Sequence, residues 1–157
     1  MKTAELTGAM LDYWVAQAEG VDAVMSDPQH NGSRGMVTFY SRDEDDHLDG
    51  RSYKPSEHWS DGGPIIERDQ IFLTPPSHEH SSGGPNAGWK NYAHWRATVS
   101  AATRTLPPAN ETQAALNVRP VGRGTGETAL IAAMRAKVAS HYGDEVPDDR
   151  PTAQGAG

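Results

Sequence analysis

Arginine set among aromatic rings is the chemistry this sequence offers most clearly. In "WKNYAHWRATV", residues 89–99, Lys90, Tyr92, His94 and Arg96 occupy alternate positions. On a β-strand they share one face. Upstream, "YKPSEHWSDGGPIIERDQIFL" (53–73) sets Tyr53 and Trp59 around a serine-containing turn. Gly62 and Gly63 follow, where a bare backbone lets amide groups approach a ligand closely. Downstream, "VGRGTGET" (121–128) enters a helix, so Arg123 and Thr125 would add an anion contact beside helix-start N–H groups. A nucleobase needs a ring to stack on, and its phosphate needs guanidinium groups. The candidate ligand-binding set is therefore Tyr53, Trp59, Gly62, Gly63, Tyr92, His94, Arg96, Arg123 and Thr125. The competing structural readings are a turn locked by aromatic packing at 53–64 and a flexible helix entry at 121–128. The latter lacks both the P-loop lysine and the Rossmann glycine spacing.

Other chemistries fit less well. Counted from Asp45, "DEDDHLDG" places Asp49 and Gly50 as a calcium loop would, but His47 falls at a ligand position and Ser56 stands where a bidentate glutamate belongs. His78 and His80, with Glu79 between them, offer two imidazoles without the geometry that helical i, i+4 spacing enforces. Glu67 and Asp69 in "IERD" would share a strand face, where a solvent-facing charge pattern is the simpler reading. No nucleophile elbow is present. No catalytic residue, metal or cofactor is assigned, and a metal-dependent hydrolase or nuclease using His94 and Glu67 is the least supported reading.

The elements that must position these residues follow from periodicity. "TAELTGAMLDYWVAQAEG" repeats apolar residues at helical spacing, with Thr3 as cap, Glu5 near the positive end and Gly20 as a left-handed stop. "TALIAAMRAKVASHYG" predicts a second helix with Leu130, Ile131, Met134 and Val138 as its stripe, Thr128 as cap and Gly143 as stop. Strands are expected at 36–40, 64–73, 89–99 and 115–121, with Pro120 confining the last to an edge or an end. Stretches 41–52, 74–88 and 104–114 read as excursions, and Gly-Gly-Pro occurs twice, at 62–64 and 83–85, without wider similarity.

At 157 residues the chain suits one domain, expected over 1–146 with a disordered tail at 147–157. Its 36% hydrophobic content, with 16 Gly and 11 Pro, implies a small core and long loops. A formal charge of −7 opposes general nucleic-acid binding, yet a local arginine cluster still suits one small anion. The chain has no cysteine, which removes disulfides and thiolate metal sites. With no apolar run near the roughly 20 residues of a bilayer span and no signal-peptide pattern, a membrane location is not expected.

Three blocks, "MKTAELTGAMLDYWVAQAEG", "YKPSEHWSDGGPIIERDQI" and "LIAAMRAKVASHYGDEV", resemble the NinX-like proteins of tailed bacteriophages. The departures are longer loops at 41–52 and 74–88, and Gly-Glu-Thr before the last helix where Gly-Pro-Thr-Pro is common. The resemblance implies a phage or prophage gene acting in the cytoplasm of the bacterial host, and it brings no catalytic residues. It also points to the wider set of phage α-β-α sandwiches. That agrees with the fold read from the residues, an α+β domain in which a small, mainly antiparallel sheet is framed by an N-terminal and a C-terminal helix. The functional expectation is a non-enzymatic protein that captures a small anionic, nucleotide-type host defence signal. The alternative is a protein-interaction module that inhibits a host protein. A homo-oligomer is compatible with either, although no heptad supports it.

Overall fold

The computed structural model describes residues 1–21, 23–25, 37–42, 48–85, 87–105 and 115–148. A 3-10 turn at Thr3–Glu5 leads into α1 (Gly8–Glu19), which Gly20 ends in the left-handed conformation at φ 66. Leu11, Trp14 and Val15 bury the i, i+3, i+4 face. Thr3 does not cap α1. Its hydroxyl donates to the Gly143 carbonyl (2.8 Å) and its amide to that of Asp144 (2.8 Å). The N-terminal residues are thereby stitched to residues 143–148, with the Met1 amine donating to the Val146 carbonyl at 3.0 Å and pairing with Asp148.

Three short strands, β1 (Ala23–Met25), β2 (Val37–Arg42) and β3 (Leu48–Ser52), form an antiparallel sheet in that order. The expected strand at 36–40 is β2, and the outer parts of the 41–52 excursion are also strand. Residues 43–47, where the calcium reading begins, lie outside the described residues, as do the peptide 106–114 and the tail beyond Asp148.

The next segment departs from expectation. Residues 64–73 do not form one strand: α2 runs over Trp59–Arg68, with Pro64 inside it, and only β4 (Phe72–Thr74) is extended. The isoleucines read as β-formers, but Gly62, Ile65, Ile66 and Asp69 also recur at helical spacing, and burial of Gly62 and Ile65 decides between the two. A Cβ on Gly62 would stand 2.3 Å from the Pro55 carbonyl oxygen and 2.8 Å from Leu130 Cδ2, so glycine is what lets α2 seat there.

The 74–88 excursion is half of a hairpin, β5 (Ser77–Ser81) paired with β6 (Gly88–Tyr92). The expected strand at 89–99 is likewise two elements, because Ala93 and His94 separate β6 from β7 (Trp95–Thr105). Trp89, which alternation along one strand would place on the buried face opposite Lys90 and Tyr92, is 75% exposed on the hairpin. β8 (Ala115–Gly126) pairs antiparallel with β7, reaches five residues beyond the predicted 115–121, and is an edge strand in the order β4-β7-β8, as Pro120 requires.

Helix α3 (Ala129–Tyr142) follows, with the Thr128 hydroxyl accepting from the Ile131 amide at 3.2 Å as a true N-cap. It lies directly on the β4-β7-β8 sheet. A Cβ on Gly122, Gly124 or Gly126 would fall 2.3 Å from the Ala136 oxygen, 2.2 Å from the Ala132 oxygen or 2.6 Å from Ile131 Cγ2. "VGRGTG" is therefore a strand whose alternate glycines admit an alanine-rich helix, and not a flexible helix entry. Leu6, Leu11, Val15, Met134 and Val138 are wholly buried, and each contributes about 1.5–3 kcal/mol relative to exposure. The result is an α+β fold with helices at both ends and antiparallel sheets between them.

Candidate functional site

Helix α3 occupies one face of the central sheet, and the register places the polar residues on the other. Phe72 pairs with Thr98, which pairs with Arg123; one step along, Thr74 pairs with Arg96, which pairs with Thr125. Directly opposed residues point the same way in an antiparallel sheet. Two rows of three side chains therefore share a face: aromatic, hydroxyl and guanidinium, then hydroxyl, guanidinium and hydroxyl. This face is open to solvent. Phe72 is 70% exposed, and Arg123 and Thr125 are exposed as well. Leu73, Ala97, Val99 and the three glycines face the helix instead, which fixes the register, since a slip of one residue would turn the arginines into the core.

The β5–β6 hairpin adds a wall. The Arg96 guanidinium lies over the Tyr92 ring with its carbon 3.6 Å from the ring centroid. Arg96 Nη2 donates to Glu79 Oε1 (2.5 Å) and to Ser77 Oγ (3.2 Å), and Ser77 Oγ donates to the same carboxylate at 2.9 Å. The Arg96 hydrogen bond holds the Glu79 carboxyl below its ordinary range, assisted by Ser77. Arg96 Nε is buried and has no hydrogen-bond partner among the described residues. Stacking, a charge-assisted bond and burial together fix the orientation of this side chain.

The residues singled out from sequence fall into three groups. Tyr92, Arg96, Arg123 and Thr125 belong to the open face or its wall. His94 stands apart in the link before β7, where it lines a cavity of about 330 Å³ with Thr7, Thr125, Gly126, Glu127, Ile131 and Arg135. Arg135 closes that side by donating to the carbonyls of Leu6 (3.0 Å) and Thr125 (2.7 Å). A second depression of about 400 Å³ runs along the β8 edge between Arg123 and the end of α3 at Gly143 and Asp144.

Tyr53, Trp59, Gly62 and Gly63 are on different elements and do not join this face. Tyr53 is buried with Ala16, and burial, reinforced by the nearby Glu19, Asp61 and Asp12 carboxylates, pushes its phenol upward, so it stays neutral. Its ring is taken up by packing. Trp59, at the start of α2, is 58% exposed. The Gly62 amide donates to the His58 carbonyl at 2.9 Å, so it is not free for an anion, and Gly63 lies in the next position of the same helix. Among the described residues no three His, Asp or Glu side chains group to hold a metal ion. His78 and His80 share the outer hairpin face with Trp89 and Asn91. Glu67 and Asp69 do not share a strand face: Glu67 is on α2, while Asp69 ends it and binds Lys137 at 2.6 Å.

Sequence reasoning missed Phe72, Thr98, Ser77 and Glu79. The signal for the first was present, since Ile71 and Leu73 turn inward on either side of it. Ser77 and Glu79 were not legible as Arg96 partners, because their meeting depends on how the hairpin sits beside β7.

These features define an α+β protein with a helix-backed antiparallel sheet and a polar open face. The family described as Bacteriophage P22, NinX matches residues 2–141, and the chain belongs to that family. No curated protein matches it. Among the described residues no helix is long and apolar enough to cross a membrane.

Proposed function

We propose that this phage protein binds a small anionic ligand of the nucleotide type on the open face of the central sheet and holds it without transforming it. The observation that carries this reading is the pair of adjacent rows, Phe72–Thr98–Arg123 and Thr74–Arg96–Thr125. Phe72 supplies a stacking plane, the threonines supply hydroxyls, and two guanidinium groups in diagonal register suit a phosphoryl group between them. Their local positive charge stands out in a chain of net charge −7, which favours one small anion over a polyanion. In a phage protein such a site suits sequestration of a host signalling nucleotide.

Isothermal titration against a panel of cyclic and ADP-ribose-derived nucleotides tests the reading. Saturable heat from at least one of them, abolished when Arg96 and Arg123 are both replaced by glutamine, is the expected result. Absence of heat from the whole panel contradicts it.

A second reading, a module that docks on a host protein, is favoured by Trp89 and Trp59, which are 75% and 58% exposed. Exposed tryptophans are frequent anchors of protein interfaces. A stoichiometric protein partner recovered from host lysate, and lost on Trp89→Ala, would favour it over the first.

A further inference from the structure

The contact between Arg96 and Glu79 bears on how an anion would reach the open face. Arg96 is central to the second row, yet its Nη2 is already engaged by a carboxylate of the protein itself. Glu79 is no core residue that needs a counter-charge: its side chain is 48% exposed, against 27% for Arg96. A carboxylate this wet gains little from a surface ion pair, so its placement on the arginine calls for another explanation. The bond is also one-sided. It uses a single guanidinium nitrogen, shared with Ser77, while Nε lies buried and unpartnered among the described residues.

We propose that Glu79 is an internal competitor, occupying the anion position on Arg96 until a ligand phosphoryl group displaces it. This rests on the reading of the open face given above. Across the hairpin, Glu79 is in direct register with Lys90, which gives the released carboxylate a cation to turn to without breaking the β5–β6 ladder. Tyr92 keeps the guanidinium in place from its other side during the exchange. The consequence is selectivity. A small carboxylate ligand would only exchange like for like on Arg96, whereas a nucleotide phosphate can bridge Arg96 and Arg123 while its base stacks on Phe72, which Glu79 cannot match. Glu79 thus excludes weak anions from the face and admits strong ones.

Calorimetric titration of the full chain with adenosine 5′-monophosphate and with acetate compares the wild type, Glu79→Gln, Glu79→Ala and Arg123→Gln. Thermal melts verify that each variant is folded. Tightening of the nucleotide by about twofold to fivefold in both Glu79 variants, with acetate binding appearing only in them, is expected from removal of one exposed ion pair. Nucleotide binding that weakens in Arg123→Gln but is unchanged or weaker in the Glu79 variants overturns the competitor role and leaves the binding face standing. Absence of nucleotide binding in the wild type and both Glu79 variants overturns the competitor role, and together with absence of heat from the whole panel it overturns the binding face as well.

Discussion

The amide of Ser56 donates to the carboxylate of Asp12 across 2.8 Å inside the core, tying the turn before α2 to the middle of α1. Asp12 is 2% exposed, and burial raises its carboxyl from 3.8 to about 6, against the opposing pull of the Ser56 hydrogen bonds. In the unfolded chain this proton leaves near 3.8, and in the folded one only near 6, so the contribution to stability falls as pH rises between those values. The difference amounts to about 3 kcal/mol. Asp12→Asn keeps the acceptor oxygen and removes the charge. Urea denaturation should show the variant gaining on the wild type by about 2 kcal/mol between about pH 4 and about pH 7. A constant difference across that range would contradict the assignment.

The glycine stripe on β8 predicts a sharp contrast with a glycine on α2. Gly124→Ala would bring a methyl group 2.2 Å from the backbone oxygen of Ala132, which cannot swing away as a side-chain end does. A loss of about 3 kcal/mol or more is expected. Gly63→Ala meets nothing nearer than Trp59 Cε3 at 3.8 Å and should be neutral or stabilising by about 0.5–1 kcal/mol, as alanine is in helices. Denaturant midpoints of the two variants provide the comparison.

A four-charge network joins the helices where α1 and α2 end. Glu19 takes both Arg68 Nη groups at 2.7 Å, and Lys137 of α3 reaches Glu19 at 2.8 Å and Asp69 at 2.6 Å. Burial alone would raise the Glu19 carboxyl, but Arg68 and Lys137 outweigh it and hold it low. This stability is therefore present above the ordinary carboxyl value and lost as pH falls through the lowered one, opposite in sign to Asp12. Lys137→Met should cost about 1–3 kcal/mol near neutral pH because it removes the more buried of the two cations and leaves Glu19 and Asp69 to share Arg68 alone. Arg68→Gln, at a more exposed cation, should cost less.

The end helices, the edge placement of β8 and the α+β class were legible because each rests on local rules: 3.6-residue periodicity, a threonine cap, a proline that an inner strand would reject. Helix α2 was not, since Pro64 and the adjacent isoleucines favour an extended chain locally. Only the fit of Gly62 against Pro55 and Leu130 makes the helix worthwhile. At the candidate site the alternation of Arg96 with Ala97 was readable, whereas that of Arg123 with Gly124 was not, because the glycines there read as a helix entry and only the seating of α3 makes them a strand. Long-range register was not readable either, and it is what seats Phe72 in the row with Arg123 and leaves Tyr53 inside.

Removing the arginines singly should have graded effects on ligand affinity. Each charge-assisted contact contributes about 1.5–3 kcal/mol, so Arg96→Gln and Arg123→Gln should each weaken a bound nucleotide by about tenfold to a hundredfold. Tyr53→Phe should leave affinity unchanged, because that ring is buried away from the sheet face. An equal loss in all three variants would indicate a general effect on folding.

The most direct measurement is an amide chemical-shift map of the isotope-labelled protein titrated with whichever panel nucleotide gives saturable heat, or with adenosine 5′-monophosphate if none does. Shifts concentrated at Phe72, Thr74, Arg96, Thr98, Arg123 and Thr125, with the α1 and α2 amides silent, are the predicted result. Shifts centred on Tyr53, Trp59 and the α2 start, or no shifts at saturating ligand, would contradict the open sheet face as the binding site.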